Sequence, residues 1–434
     1  MLTSIKSVHA RRIWDSRGRP TIEAEVTLAN GIVGRGIAPA GASRGTHEAI
    51  DMRDGGLFLG GMDVQKAIEN VNHLIAKAII GQDATQQETI DRLILALDPS
   101  PNKARLGGNA TISVSMAVLH AAAHSMQQPL WRYLAQDKKI HLPLPQIQIF
   151  GGGAHASGRV DVQDFLVMPI SAESFARGIE MAAQVYLAAG EIMQDRHKRS
   201  GVADEGGWWP NFDTNEEAIE TLLQSIEKAG LKPGEDIGIA LDLAASEFYH
   251  DGFYVLGLEQ KKLSSAEWGN VLENWLRKYP ILSMEDAFAE EDFPGMAALT
   301  GKVGKTVQLI GDDGLVTNAQ RIKDYAARHY GNAVLVKPNQ VGTMTETFEA
   351  MAAARSLGWG TIISARSGET EDTTITHLAT GLDAGQLKVG SIARSERLAK
   401  WNEGIRIEDD VTAQIGYIGA EALNCDWRRA PWRG

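Results

Sequence analysis

Cysteine is almost missing from this chain. Cys425 is the only one in 434 residues, which excludes an internal disulfide and fits a reducing compartment. Long apolar runs are missing too: no stretch approaches the roughly 18 apolar residues that span a bilayer. The opening, Met1-Leu-Thr-Ser-Ile-Lys-Ser-Val-His9, lacks the apolar centre of a secretory leader. Positive charge is in short supply, with 43 Lys and Arg against 55 Asp and Glu and a net charge of −12. That deficit argues against nucleic acid or an anionic membrane as the main partner. No low-complexity segment or extra repeat appears. What remains is an ordinary globular composition, 44% hydrophobic and 23% charged, and the expectation is a cytoplasmic enzyme.

The length predicts two domains, with a boundary near residue 140 that separates residues 1–140 from 141–434. In the first part, Ile5–Trp14 and Thr21–Leu28 read as strands, the second pointing Ile22, Ala24, Val26 and Leu28 to one side. Asp15-Ser-Arg-Gly-Arg-Pro20 is the turn between them. Helical patterns follow at Val64–Ile80, Gln86–Leu97 and Ala110–His124. Strands followed by helices make an α+β cap. Beyond Leu142-Pro-Leu-Pro145, short strands alternate with amphipathic helices. Thr214 and Glu217 there have capping-box spacing, and Gly230 is placed to stop the helix.

Six apolar runs in the second part each end in a charged residue: Asp242, Glu285, Asp312, Lys337, Arg366 and Lys388, spaced 22 to 43 residues apart. Charges closing buried strands at such intervals predict a barrel of strands and helices with its chemistry on one rim. Three carboxylates at successive strand ends repel one another unless a divalent cation neutralises them, and hard oxygen ligands point to Mg²⁺, with Mn²⁺ also compatible. The plain alternative is that each acid pairs with a basic neighbour or caps a helix. Lys337, desolvated among other cations, is expected to have a lowered pKa and to act as a base toward a C–H proton. Its alternative is an ion pair with Asp312 or Asp313. Arg366-Ser-Gly368 offers a fork of donors for a phosphate or carboxylate. Ala203-Asp-Glu-Gly-Gly207 sets Glu205 in a turn, and Gly151-Gly-Gly-Ala-His155 permits close backbone approach without a nucleotide-binding context.

These segments together resemble the enolases, the phosphopyruvate hydratases of glycolysis, over nearly the whole chain. The resemblance rests on Trp14-Asp-Ser-Arg-Gly-Arg-Pro-Thr21, Ala40-Gly-Ala-Ser-Arg-Gly45, Asn102-Lys-Ala-Arg-Leu-Gly107 and Asp204-Glu-Gly-Gly207. It continues in Ala240–Phe248, Arg366-Ser-Gly-Glu-Thr-Glu-Asp-Thr373 and Ala393–Lys400. It implies an α/β fold, a modified (β/α)₈ TIM-type barrel with an N-terminal α+β lid domain, assembled as a homodimer or higher homo-oligomer. It implies magnesium as cofactor, two ions with the second arriving with substrate, and a phosphorylated hydroxy acid as the small-molecule partner. By motif position, Asp242, Glu285 and Asp312 match the ligands of the first magnesium, and Ser43 the loop residue that helps to hold the second. Lys337 matches the general base and Glu205 the general acid. Arg366 and Ser367 match the phosphate clamp and Lys388 a carboxylate contact, while His155, Gln163 and Asp164 line the pocket.

The implied activity is reversible dehydration of 2-phosphoglycerate to phosphoenolpyruvate. The chain departs from the family pattern at five places: Ala365 where a histidine is usual, Asp164 where a glutamate is usual, Trp208-Trp209, Arg44, and Pro338 after the base. These departures keep two alternatives open. One is a paralogue acting on a related phospho- or phosphono-carboxylate, like carboxyphosphonoenolpyruvate synthase; the other is a non-catalytic enolase-like binding protein.

Overall fold

A computed structural model of the chain describes residues 1–410 and 415–433. The first strands are β1 (Ile5–Trp14), β2 (Pro20–Leu28) and β3 (Val33–Ile37), antiparallel in that order. The alternation read in the second strand holds, since Ile22, Ala24, Val26 and Leu28 are all fully buried. They and β3 are covered by a long helix, Gly108–Ser125. Gly34 and Gly36 allow this close contact, because a Cβ at Gly34 would meet the Ala117 carbonyl at 2.2 Å and one at Gly36 the Ser113 carbonyl at 2.5 Å. Helix α1 spans Gln87–Leu97, and the covering helix is α2.

The single helix expected over Val64–Ile80 is interrupted by a wide π-type turn at Asn70–Ile75 between Gln65–Glu69 and Ala76–Ile79. Side-chain amides explain the break. Asn72 exchanges hydrogen bonds with the Ala10 backbone of β1, accepting at 2.7 Å and donating at 3.3 Å, while Asn70 donates to the Leu106 carbonyl at 2.9 Å. Anchoring both amides to neighbouring segments is compatible with the looser turn.

The second part closes into a barrel of eight strands: β4 (Leu144–Gly151), β5 (Asp164–Met168), β6 (Gly238–Asp242), β7 (Ile281–Glu285), β8 (Gln308–Gly311), β9 (Ala333–Val336), β10 (Gly360–Ser364) and β11 (Gly385–Ser391). The fold is therefore mixed α/β with a lid. One strand runs backwards: β5 is antiparallel to both β4 and β6, and the other neighbouring pairs are parallel. Two helices in succession, α3 (Phe175–Asp195) and α4 (Asn215–Lys228), then carry the chain to β6. Thr214 caps α4 by accepting the Glu217 N–H at 3.0 Å, but Glu217 reaches back to the Asp213 N–H, not to Thr214, so the capping box is offset by one residue. Gly230 follows with φ of +76°.

One layer of the barrel interior is polar. Gln146, Ser283, Gln308 and Gln386 satisfy one another, with Gln146 and Gln308 both donating to Gln386 Oε1 at 2.8 and 3.1 Å. Two residues further along the same strands, on the same face, stand Gln148, Glu285 and Lys388. At the opposite end, Leu423, Trp427 and Ala430 pack on Leu144, Leu166, Met168, Ala240 and Leu282. The Arg- and Trp-rich tail is thus docked through Trp427, and Arg433 lies 4.2 Å over the Trp432 ring; Gly434 falls outside the described residues. No helix among the described residues is long and apolar enough to cross a membrane.

Lid and barrel are joined by buried polar contacts. Asp91 of α1 accepts from Ser115 Oγ of α2 at 2.7 Å and from the backbone N–H and hydroxyl of Thr345 at 2.9 and 2.6 Å. Thr345 belongs to the barrel helix Met344–Ser356, which packs against α1. Asp91→Ala should therefore lower the stability of the chain by about 2 kcal/mol, since the Thr345 donors lose their acceptor. The urea midpoint of unfolding, with an unchanged denaturant slope, is the measurement that checks it.

Candidate active site

Strand ends bring the expected residues to one rim. Asp242 and Glu285 are the last residues of β6 and β7, and Asp312 and Lys337 immediately follow β8 and β9. Arg366 and Ser367 lie just past β10, and Lys388 stands within β11. Because β5 runs backwards, its first residue is the one at this rim: Asp164 pairs across the sheet with Asp242 on one side and Gly151 on the other. All of these side chains are buried.

Two lysines neutralise the acids. Lys388 Nζ lies 2.7 Å from Asp242, 2.8 Å from Glu285 and 3.3 Å from Asp164. Lys337 Nζ is ion-paired with Asp312, whose other oxygen accepts from Gln340 at 2.8 Å. Burial disfavours both ammonium groups, but the carboxylates outweigh it, and both lysines are held above their ordinary pKa, Lys388 well above. This corrects the expectation of a lowered Lys337 pKa: in this state the ion pair with Asp312 prevails.

The acids nevertheless exceed their partners. Burial, then the Asp242 charge, lifts the Glu285 pKa well above its ordinary value, and Glu285 Oε1 is buried without a hydrogen-bond partner. Next to Glu285 is Asp286, unremarked in the sequence reading. Its two oxygens accept the backbone N–H groups of Asp312 and Asp313 at 2.8 and 2.9 Å, fixing the end of β8 against the end of β7. Burial, then Asp312, raises Asp286 to about 7, and burial with Asp312 raises Asp313 as well. An excess of buried oxygen donors with one orphaned carboxylate oxygen fits a hard divalent cation such as Mg²⁺. The compact acidic trio is Asp286, Asp312 and Asp313, whose ligand atoms lie within 4.8 Å of one another; of the expected trio, Asp242 and Glu285 share Lys388, while Asp312 pairs separately with Lys337.

Across the barrel from Lys337 stands a second group. His155 Nε2 lies 3.7 Å from Asp164 and 3.8 Å from Glu205. Burial pushes the Glu205 pKa up, but His155, Arg397 and Lys388 outweigh it and hold Glu205 below its ordinary value. Asp164 is driven the other way, to about 6, by burial that Lys388 and His155 only partly offset. Gly206 adopts φ of +93° with the Ala393 carbonyl 2.5 Å from where a Cβ would sit, so only glycine turns the chain sharply enough behind Glu205. Gln163 donates to Asp242 at 3.2 Å, and its Oε1, like His155 Nδ1, is buried without a partner.

The anion clamp is covered from the lid. Arg366 Nη1 contacts Glu48 at 3.1 Å and Asn339 at 3.0 Å, and its Nη2 contacts Glu48 at 3.2 Å and the Ser43 carbonyl at 3.1 Å. Ser367 Oγ accepts the Ala42 N–H at 3.3 Å. Glu48 was not legible as a partner of Arg366, because the two lie 318 residues apart. Ser43 thus meets the site through its carbonyl, and no hydrogen bond joins its hydroxyl to the acids among the described residues. Behind the clamp, the fully buried Arg397 donates to the Arg366 and Val389 carbonyls at 2.6 and 2.9 Å.

The departures fall in different places. Arg44 pairs with Asp51 at 3.0 Å and is part exposed. Trp208 stacks on Tyr186 of α3 at 4.7 Å and donates to the Tyr186 carbonyl at 2.9 Å, so its indole packs outward against that helix and does not fill the pocket. Ala365 donates its N–H to the Lys388 carbonyl at 2.9 Å, and Pro338 opens a short helix directly after Lys337.

A lidded eight-stranded barrel whose rim gathers a crowded set of oxygen donors, a lysine, an enclosed acid and an arginine defines the class, a barrel enzyme with its chemistry at the strand ends. Comparison with known proteins makes this specific. Residues 139–425 match the family model "Enolase, C-terminal TIM barrel domain", and residues 5–134 match "Enolase, N-terminal domain". The chain is 49% identical over 416 residues to Enolase 1 of Desulfitobacterium hafniense (strain Y51), covering 95% of each protein. It belongs to the enolase family.

The crowding of acids sets opposite signs for one substitution. In Glu285→Gln, the metal-free protein should keep its melting temperature or gain, since a strained carboxylate becomes neutral. The magnesium-induced rise, about 3 °C for the parent at a hundredfold excess over Kd, should be lost. Thermal scans in chelator and over a magnesium titration measure both.

Proposed function

We propose that the chain is a magnesium-dependent hydro-lyase that reversibly dehydrates 2-phosphoglycerate to phosphoenolpyruvate. The observation that carries this reading is the opposition of Lys337 and Glu205 across a ring of buried carboxylates. β9, which leads to Lys337, lies four places round the barrel from β5, which begins with Asp164 beside His155 and Glu205. A base on one face and an acid on the other is what anti removal of a proton and a hydroxyl requires.

The chemistry assigns the remaining parts. Arg366 and Ser367 bind the phosphate, with the guanidinium fork suited to two oxygens at once. Lys388 faces the substrate carboxylate. Asp242, Glu285 and Asp312 would hold one magnesium and Ser43 would help to hold a second, and the bound metal would supply electrostatic stabilisation of the second negative charge that builds on that carboxylate. Lys337, freed from Asp312, takes the proton from the carbon beside the carboxylate. Glu205 then donates a proton to the departing hydroxyl, which leaves as water. The cations around Glu205 lower its pKa, and an anionic substrate beside it raises that value toward the protonated form the step needs. Gln163, Asp164 and His155 line the same side and orient the hydroxyl. The retained Lys–Glu pair and arginine clamp support this reading over a non-catalytic scaffold. Homo-oligomeric assembly and a cytoplasmic location follow from the resemblance to the family.

Purified protein with magnesium and 2-phosphoglycerate should develop the ultraviolet absorbance of an enol phosphate. Lys337→Ala should lower kcat by about 10⁴-fold and Glu205→Gln by about 10²-fold, with KM within a few-fold of the parent. Loss of either side chain without effect on kcat would falsify the assignment of that residue.

A further inference from the structure

Gln148 is a glutamine on the inner face of β4 with no exposed surface. A buried primary amide needs partners at both ends, and here each end meets a different part of the site. Its Oε1 accepts the Gly207 N–H at 2.8 Å, in the turn that carries Glu205. Its Nε2 donates to Asp164 Oδ1. The glutamines one step below, Gln146, Gln308 and Gln386, bond to one another, and Gln386 also donates to the Ala422 carbonyl at 3.2 Å, on the side away from the rim. Gln148 alone among these four is turned wholly toward the rim.

The backbone decides which way this amide faces. Gly207 N–H can only donate, so the amide oxygen must turn to it and the NH₂ must turn to Asp164, a carboxylate that can accept. The fit is close on that side: a Cβ at Gly207 would lie 2.5 Å from Gln148 Oε1. Asp164 is then held from three directions, by Gln148, by Lys388 at 3.3 Å and by His155 at 3.7 Å. It is also the position at which this chain carries a side chain one methylene shorter than the glutamate usual in the enolases. The reach lost by the carboxylate is met by the long arm of Gln148.

We infer that Gln148 is a positioning residue: its amide, oriented by Gly207, sets where the Asp164 carboxylate stands in the pocket. This rests on the reading of the reaction given above. The lengths of the two arms are coupled, and a change in one is corrected by the opposite change in the other. A displacement of about 1 Å at a site of this kind costs on the order of 10²-fold in rate.

The experiment compares the full chain with Gln148→Asn and with the double variant Gln148→Asn/Asp164→Glu, in which a methylene moves from one arm to the other. Gln148→Asn should lower kcat by about 30- to 100-fold with KM within about threefold. The double variant should return to within about fivefold of the parent. A folding defect would not be repaired by lengthening Asp164. Hydrogen exchange at the Gly207 amide, read without substrate, should be about tenfold faster in both, because the shorter arm withdraws the oxygen from that N–H. A Gln148→Asn protein within twofold of the parent kcat, or a double variant no better than the single, overturns the inference. If the unaltered chain leaves 2-phosphoglycerate unchanged, the reaction reading is what fails. Exchange at Gly207 then judges the bridge alone, with unchanged protection overturning it.

Discussion

The rest of this structure depends on the confinement of acidic groups at one end of the barrel. Asp164, Asp242, Glu285, Asp312 and Asp313 are all buried there, with Glu205 close by. Confinement of like charges in a poorly solvated space is unfavourable, and the chain meets it with Lys388, placed between Asp164, Asp242 and Glu285, and with Lys337, paired with Asp312. A cation entering among these carboxylates would compete with both lysines for the same oxygens, so the pairs that balance the acids also set what must be displaced.

Around this centre, rigid elements set the distances and loops complete the set. Strand register places Asp164 beside Asp242, and the Asp286 carboxylate pins the ends of β7 and β8 together. The lid contributes through Glu48 and the Ser43 carbonyl, which contact Arg366, and through Ala42, whose N–H donates to Ser367. Arg366 therefore holds barrel and lid together through one guanidinium.

Much of this was legible along the chain because the barrel puts its chemistry at strand ends. Asp242, Glu285, Asp312 and Lys337 each follow an apolar run, and that local pattern is sufficient to find them. Glu48 and Asp286 were not found, for different reasons. Glu48 lies in a lid segment whose meeting with Arg366 is set by tertiary docking alone. Asp286 neighbours a residue already singled out, and its role is to bind backbone N–H groups, which leaves no side-chain signature. The sign of the Lys337 shift was misread because desolvation can be argued from an apolar run, whereas the closer influence of Asp312 needs a distance. Trp208 and Trp209 follow Glu205 in sequence, yet Trp208 turns to Tyr186 on α3, a direction that no spacing encodes.

The floor of the barrel has a further consequence for how the chain matures. Leu144, Leu166 and Met168 are made early, but their cover, Leu423, Trp427 and Ala430, comes more than 250 residues later. Ring closure is equally late, because β4 must wait for β11. During synthesis β4 can pair with β5 but keeps its other edge open until β11 emerges, and open apolar edges are where chains aggregate or recruit chaperones. The lid strands and α2 all lie before the first barrel strand, so that sheet and its covering helix are complete while the barrel is still open.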